Sequence, residues 1–123
     1  VLLIAACLTP EQCRMLALKA YELELETLLE IHSKAELAYV TDDIDMVGVN
    51  NRNLGTFHTD VHNSFRLASL LPNDKLLVSE SGISDACTLQ RLRKVGFRGF
   101  LIGETFMKTP DPGAALLELI SNI

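Results

Sequence analysis

The sequence predicts an α/β fold built on one parallel β-sheet. Five short apolar segments alternate with stretches that begin at helix N-cap residues, which is typical of strands joined by helices. Each segment is apolar at nearly every position, and this indicates strands sheltered by helices on at least one face. We expect the strands near residues 1–6, 27–32, 45–50, 76–80 and 99–103.

Length and composition indicate one globular unit. The 123 residues are 48% hydrophobic and 22% charged, which allows an apolar core and argues against disorder. A net charge of −5 without a basic stripe argues against nucleic acid as a partner. The apolar run at residues 1–6 is too short to cross a membrane, and no initiator methionine precedes it, so we expect the chain to start inside a larger protein.

The three cysteines predict neither a disulfide framework nor a metal site. Cys7, Cys13 and Cys87 are odd in number and show no CxxC spacing. This usage is typical of a reduced, cytoplasmic protein whose thiols are buried.

Residues that start and stop helices separate the strands. Thr9 and Gln12 predict a capping box around a proline at the first helical position, and Ser33 with Glu36 predicts a second box. Further along the chain, helices are predicted to start at caps provided by Asp60, Ser84 and Asp111. Pro72 is expected to end the helix after Asp60, and Gly96 the helix after Ser84.

Two architectures fit this pattern, an open doubly wound sheet and a (β/α)₈ barrel. The open sheet would place a glycine-rich phosphate turn such as GxGxxG after its first strand. Residues 5–9 read Ala-Ala-Cys-Leu-Thr and contain no glycine. The barrel is therefore favoured.

Polar residues stand where three apolar strands end. Glu30, Asn50 and Glu80 follow the second, third and fourth strands, and loops beyond such ends build the active sites of parallel α/β folds. A single glutamate there could simply contact solvent or pair with a lysine. Two carboxylates at matching strand ends, where desolvation is costly, favour a catalytic site.

Glycines after the last two strands predict a phosphate site. Gly82 and Gly103 each lead towards a helix start, where backbone N–H groups can approach an anion closely. Ordinary structural turns are the alternative explanation for both glycines.

Taken together, these segments resemble the indole-3-glycerol-phosphate synthase family. The resemblance lies in LLIAACL, LLEIH, VGVNNRNL, LLVSESGI, GFLIGETFM and DPGAAL. NNRNL after the third strand and SESGI after the fourth are its most specific parts. It implies a TIM (β/α)₈ barrel, of which residues 1–123 are the carboxyl-terminal half with strands four to eight.

The resemblance implies a cofactor-free carboxy-lyase of tryptophan biosynthesis that requires no metal. Its substrate is 1-(2-carboxyphenylamino)-1-deoxyribulose 5-phosphate, and its products are indole-3-glycerol phosphate, carbon dioxide and water. The family's first three strands and their lysines would lie upstream. We therefore expect the isolated chain to be inactive, and to associate with itself through exposed sheet edges or with an amino-terminal part.

The resemblance also implies roles for individual residues. Glu30 corresponds to the acid/base glutamate, and Asn50 with Arg52 to the pair that orients the substrate, with Arg52 suited to its carboxylate. Glu80 corresponds to a glutamate that hydrogen-bonds substrate hydroxyls and offsets positive charge. The remaining implied positions are Ser81, Gly82, Gly103 and Glu104 at the phosphate and Leu101 in the pocket wall.

Two residues depart from the family pattern, and two histidines have no implied role. Glu24 stands where a helix-ending glycine is expected. Glu104 replaces a frequent serine, so its backbone N–H rather than its side chain is the expected phosphate ligand. His32 is expected to be a hydrogen-bonded histidine at a strand end. His58 could act as a general base by its chemistry, but the resemblance implies no role for it.

The competing hypothesis is a non-catalytic half-barrel that assembles with itself and keeps only phosphate binding. Phosphate binding would not need Glu30, Asn50, Arg52 or Glu80. The presence of all four favours the enzyme.

Overall fold

The structure, a computed structural model that describes all of residues 1–123, contains one five-stranded parallel sheet. Its strands follow one another in chain order, and every pairing is parallel. An open doubly wound sheet would reverse its order part-way, so this order supports the barrel. The strands are β1 (Leu2–Ile4), β2 (Leu28–Ile31), β3 (Met46–Asn50), β4 (Leu76–Glu80) and β5 (Gly99–Leu101), as predicted.

Helices occupy the connections between the strands. None of them is both long and apolar enough to cross a membrane. The α-helices are α1 (Pro10–Glu22), α2 (His62–Ala68), α3 (Ala86–Lys94), α4 (Glu104–Met107) and α5 (Pro112–Ser121), and 3-10 helices span Ala5–Cys7 and Lys34–Tyr39.

The predicted cap of α1 is confirmed, whereas that of α3 is wrong by one residue. Thr9 Oγ1 accepts from the Gln12 N–H at 3.1 Å, and Gln12 Oε1 accepts from the Thr9 N–H at 2.9 Å. Helix α3 is capped by Asp85, whose Oδ1 accepts from the Thr88 N–H at 2.8 Å, and not by Ser84. A carboxylate is the stronger acceptor at the positive end of a helix, so Asp85 prevails over its serine neighbour.

Of the other predicted caps, two hold and one is displaced by one residue. Glu36 Oε2 accepts from the Ser33 N–H at 3.2 Å, although the segment that follows is a 3-10 helix. The N-cap of α2 is Val61 and not the predicted Asp60, although Asp60 Oδ1 accepts from the His62 N–H at 3.0 Å, and the helix ends at Ala68, short of the predicted end at Pro72. Asp111 caps α5 as expected, accepting from the Ala114 N–H at 3.0 Å.

Two helices end in left-handed turns. Gly96, with φ 113°, follows α3 as predicted. Glu24 adopts φ 58° after α1, so the turn expected to need glycine forms without it. A non-glycine residue in this region costs on the order of 1 kcal/mol.

The core lies between the sheet and its helices. Leu29 and Val49 are fully buried on the helix-facing side of the strands, as period-two alternation predicts, and they join Cys13, Leu92 and Phe97 in one apolar cluster. The expectation that the cysteines are buried is right only for Cys13, since Cys7 and Cys87 are exposed, and all three are free thiols.

The two outer strands and their helices expose apolar surface. Leu2 on β1 and Leu101 on β5 are almost half exposed. The helices beside them expose Met15 and Leu16 on α1 and Leu116, Leu117 and Ile120 on α5. One continuous half of a closed barrel would present such edges.

Candidate active site

Two buried carboxyl groups meet at the carboxyl end of the sheet. Glu30 is the last residue but one of β2, Glu80 is the last residue of β4, and each is only 5% exposed. Gly48 pairs with Glu30 in β2–β3, and Asn50 pairs with Glu80 in β3–β4. Because Gly48 has no side chain, the carboxyl group of Glu80 lies over β3, in the space that a Cβ would fill.

Asn50 connects the pair to the following loop. Its Nδ2 donates to Glu30 Oε1 at 3.0 Å, and its Oδ1 accepts from the Arg52 N–H at 2.9 Å. The Oε1 atom of Glu80 is buried and has no hydrogen-bond partner. The predicted residues Glu30, Asn50 and Glu80 therefore do lie together.

The pair is not electrostatically symmetric. Burial, assisted by the charge of the nearby Glu30, raises the pKa of Glu80 to about 8. At neutral pH Glu80 therefore keeps its proton beside a second carboxyl group. Environments that separate the proton affinities of two neighbouring acids are typical of acid–base sites.

His32 lies between two carboxyl groups. Its Nε2 is 3.3 Å from Glu30 Oε1, and its Nδ1 is 3.8 Å from Glu36 Oε2. Both ring nitrogens are buried without a hydrogen bond of good geometry, so the expectation of a hydrogen-bonded histidine is wrong. His58 is exposed.

Arg52 bridges two loops at the rim of the site. Its Nε donates to Thr59 Oγ1 at 3.2 Å, and its Nη2 lies 2.7 Å from Glu104 Oε2. Glu104 is 73% exposed, and such a surface ion pair contributes about 1 kcal/mol or less. The contact is therefore easily exchanged for another anion.

A cavity of about 970 Å³ lies between the loops that follow β4 and β5. It is bordered by Glu80 and by Arg52, so one carboxyl group of the pair and the arginine open onto the same space, whereas Glu30 and Asn50 do not line it. Its walls include the predicted Ser81, Gly82, Leu101, Gly103 and Glu104, and also Thr59, Ser84, Thr105 and Lys108.

The sequence interpretation missed Lys108, which adds a cation to this wall. Its i,i+4 spacing from Glu104 was a signal that could have indicated it.

No group of three or more His, Cys, Asp or Glu side chains is placed to hold a metal ion.

The loop after β4 has an unusual backbone. Ser81 has φ 68° and Gly82 has φ 75°, both in the left-handed region. A Cβ at Gly82 would collide with the methyl group of Thr59, so glycine is needed here for close approach as well as for conformation.

The comparisons with known proteins agree with these motifs. The profile of the family described as indole-3-glycerol phosphate synthase matches residues 1–119. The chain belongs to this family. Together with five consecutive parallel strands, membership makes the sheet the carboxyl-terminal half of a TIM (β/α)₈ barrel.

Relatives named indole-3-glycerol phosphate synthase align along almost the whole chain. The one from Bacteroides thetaiotaomicron is 65% identical over 123 residues, covering 100% of this chain and 47% of the relative. The one from Polaromonas sp. is 43% identical over 120 residues, covering 97% of this chain and 46% of the relative. The chain thus spans about half the length of the curated relatives it matches.

A solved structure supports the fold alone. A chain of the Amycolatopsis orientalis BexX/CysO complex superposes with a TM-score of 0.58 at 16% identity, covering 93% of this chain and 51% of that one. This chain therefore matches about half of the larger solved chain.

A buried polar cluster lies behind the residues that the family motifs indicate. Asn51 is 4% exposed and contacts Ser64 and Ser79, both fully buried. The sequence interpretation passed over all three. The available signal was a second asparagine directly after β3, next to Asn50.

Proposed function

We propose that this chain supplies the carboxyl-terminal half of an indole-3-glycerol-phosphate synthase active site. The observation that carries the proposal is that the carboxyl groups of Glu30 and Glu80 are buried near each other, with Asn50 donating to Glu30 and Glu80 bordering a polar cavity. The proposed substrate is 1-(2-carboxyphenylamino)-1-deoxyribulose 5-phosphate. The products are indole-3-glycerol phosphate, carbon dioxide and water.

The reaction needs several proton transfers. A carbon of the aromatic ring attacks the substrate carbonyl, whose oxygen takes up a proton. The bond to the carboxylate then breaks, and carbon dioxide leaves while the electron pair returns to the ring. A second proton is needed on the departing hydroxyl, which leaves as water, and one proton is removed from the new ring.

The acid pair is suited to these transfers. Glu80 keeps a proton at neutral pH, because burial and Glu30 raise its pKa to about 8. In the proposal Glu30 exchanges protons with the substrate, held in place by Asn50. Glu80 hydrogen-bonds the substrate hydroxyls, and its raised pKa lets it donate a proton in such a bond at neutral pH.

Arg52 is proposed to bind the carboxylate of the aromatic ring. It borders the same cavity as Glu80, and a planar guanidinium matches a carboxylate with two parallel hydrogen bonds. The substrate carboxylate would replace Glu104, whose pairing with Arg52 is exposed and weak.

The phosphate is proposed to bind between the loops that follow β4 and β5. Ser81 and Gly82 border the cavity from the first loop, and Gly103 and Glu104 border it from the second. Lys108 also borders the cavity and supplies a positive charge, which compensates for the nearby carboxylate of Glu104. Leu101 contributes an apolar surface to the same cavity.

The alternative remains a self-assembling half-barrel that binds phosphate without catalysis. In this alternative, copies of the chain associate through the outer strands and the exposed apolar faces of α1 and α5. It gives no reason for two carboxyl groups to be buried together, which is costly without a use. We therefore favour the enzyme.

The test uses a complete barrel, made by joining this chain to the amino-terminal half of the Bacteroides thetaiotaomicron relative. We expect this complete barrel to convert the substrate, followed by the absorbance of the indole product. The chain without an amino-terminal half should show no turnover. The parent Bacteroides protein is the positive control.

A folded complete barrel without turnover, next to an active parent, would contradict the proposal. Circular dichroism and a cooperative thermal transition establish that it is folded. If the chain alone forms a defined oligomer that binds phosphate, and the complete barrel stays inactive, the half-barrel alternative holds instead.

A further inference from the structure

We propose that Asn51 is a positioning residue that holds the loop Ser81–Gly82 in the shape that faces the cavity. The proposal rests on the function proposed above and adds a residue to it. Asn51 does not border the cavity, so it acts through the loop and not on the substrate.

The amide of Asn51 uses its full hydrogen-bonding capacity. Nδ2 donates to the Ser81 carbonyl at 2.9 Å and to Ser79 Oγ at 3.2 Å. Oδ1 accepts from the N–H of Ser64 at 3.0 Å and from its Oγ at 2.9 Å. The two serine hydroxyls lie 2.7 Å apart and close the network. Such a fully satisfied buried network has one arrangement and is rigid.

The loop that it holds is strained. Ser81 occupies the left-handed region without being a glycine, a strained conformation that needs support from its surroundings. Its N–H donates to the Leu101 carbonyl at 3.3 Å, and its own carbonyl accepts from Asn51. The Ser81 residue is thus fixed on one side by β5 and on the other by Asn51.

Asn51 also connects this loop with the rest of the site. Its backbone N–H donates to the Glu80 carbonyl at 2.8 Å, and its chain neighbours are Asn50 and Arg52. Arg52, which follows β3, and Glu80 at the end of β4 both border the cavity and are therefore linked to one buried anchor. A change at position 51 should disturb phosphate binding more than proton transfer, since the loop depends on its side chain.

The experiment replaces the amide in the complete barrel. Asn51→Asp keeps the shape but turns the donor to the Ser81 carbonyl into an acceptor. We expect the KM for the substrate and the inhibition constant of inorganic phosphate to rise about tenfold, the effect of losing about one buried hydrogen bond. We expect kcat of the folded fraction to change less than about threefold, the span of a minor effect.

Two further variants keep the test decisive. Asn51→Ser carries no charge and lacks both N–H donors, so it should shift both constants in the same direction if Asn51→Asp does not fold. Asn53→Asp is the matched control, because Asn53 is exposed and its Oδ1 acceptor, used by the N–H groups of Gly55 and Thr56, is kept. It should leave both constants unchanged.

A merely structural role predicts a different result. It would lower the melting temperature and the folded fraction while leaving KM and phosphate inhibition as they are, and that outcome would overturn the proposal. Failure of the proposed function looks different again, since the unsubstituted complete barrel would then be inactive.

Discussion

The carboxyl group of Glu80 occupies the space that a side chain at Gly48 would need. Glu80 Oε1 would collide with a Cβ on Gly48, and Glu80 Cδ lies 3.0 Å and Leu28 Cδ1 3.2 Å from the position of that Cβ. The absence of a side chain on β3 therefore lets a β4 glutamate lie against the strand that separates it from Glu30. The acid pair depends on this glycine.

Gly48→Ala should displace the carboxyl group of Glu80. We expect turnover of the complete barrel to fall about 100-fold, the scale of a lost acid–base contribution. Stability should change by about 1 kcal/mol or less, because the displaced atoms are the end of a flexible side chain and alanine favours a strand over glycine. Steady-state kinetics and urea unfolding measure the two effects.

Gly113→Ala is the control, since a Cβ there meets only ordinary contacts, the nearest being Asp111 Oδ1 at 3.5 Å. Full turnover in Gly48→Ala would show that the pair does not need the carboxyl group of Glu80 in this place.

Stability should depend on pH through Glu80. The pKa of Glu80 is about 8 in the folded protein, above the ordinary value of 4.5. Between pH 4.5 and pH 8 the folded protein therefore binds more protons than the unfolded chain. The contribution is complete below pH 4.5 and is lost as pH rises to about 8, at a slope of up to about 1.4 kcal/mol per pH unit. Glu80→Gln cannot titrate and should lose this dependence.

Urea unfolding at pH 5 and pH 9 checks the pH effect. The exposed Glu118→Gln serves as control and should behave as the unsubstituted protein does. If the free energy of unfolding fell equally between pH 5 and pH 9 in the unsubstituted protein and in Glu80→Gln, a group other than Glu80 would be responsible.

Glu30→Gln should lower turnover of the complete barrel far more than substrate affinity. Glutamine keeps an oxygen for the Asn50 Nδ2 donor but cannot exchange protons. We expect kcat to fall by about 10²–10⁴-fold. A rise in KM with kcat intact would instead make Glu30 a binding residue.

The phosphate site can be tested by titrating inorganic phosphate into ¹⁵N-labelled protein. The amide resonances of Gly82 and of Gly103 or Glu104 should move together, because their loops border one cavity. Lys108→Ala should weaken the binding several-fold by removing the nearby cation. Movement of other amides while these stay still would refute the assignment.

Much of the fold followed from local rules in the sequence. Apolar strands, capping boxes and left-handed turns depend on a few neighbouring residues, so the strand positions, the Thr9 cap and the turn at Gly96 were predictable. The family motifs likewise indicated Glu30 and Glu80 before their geometry was known. The cap of α3 was misplaced because two acceptors, Ser84 and Asp85, stand next to each other.

Only the tertiary structure decided which groups interact across the sheet. The pKa of Glu80 depends on Glu30, fifty residues away along the chain, and on burial that neither residue creates alone. The pairing of Arg52 with Glu104 joins the loops after β3 and β5 in the same way. The Asn51 network could not be read from sequence, because asparagine and serine form different hydrogen bonds according to the partners that folding brings within about 3 Å.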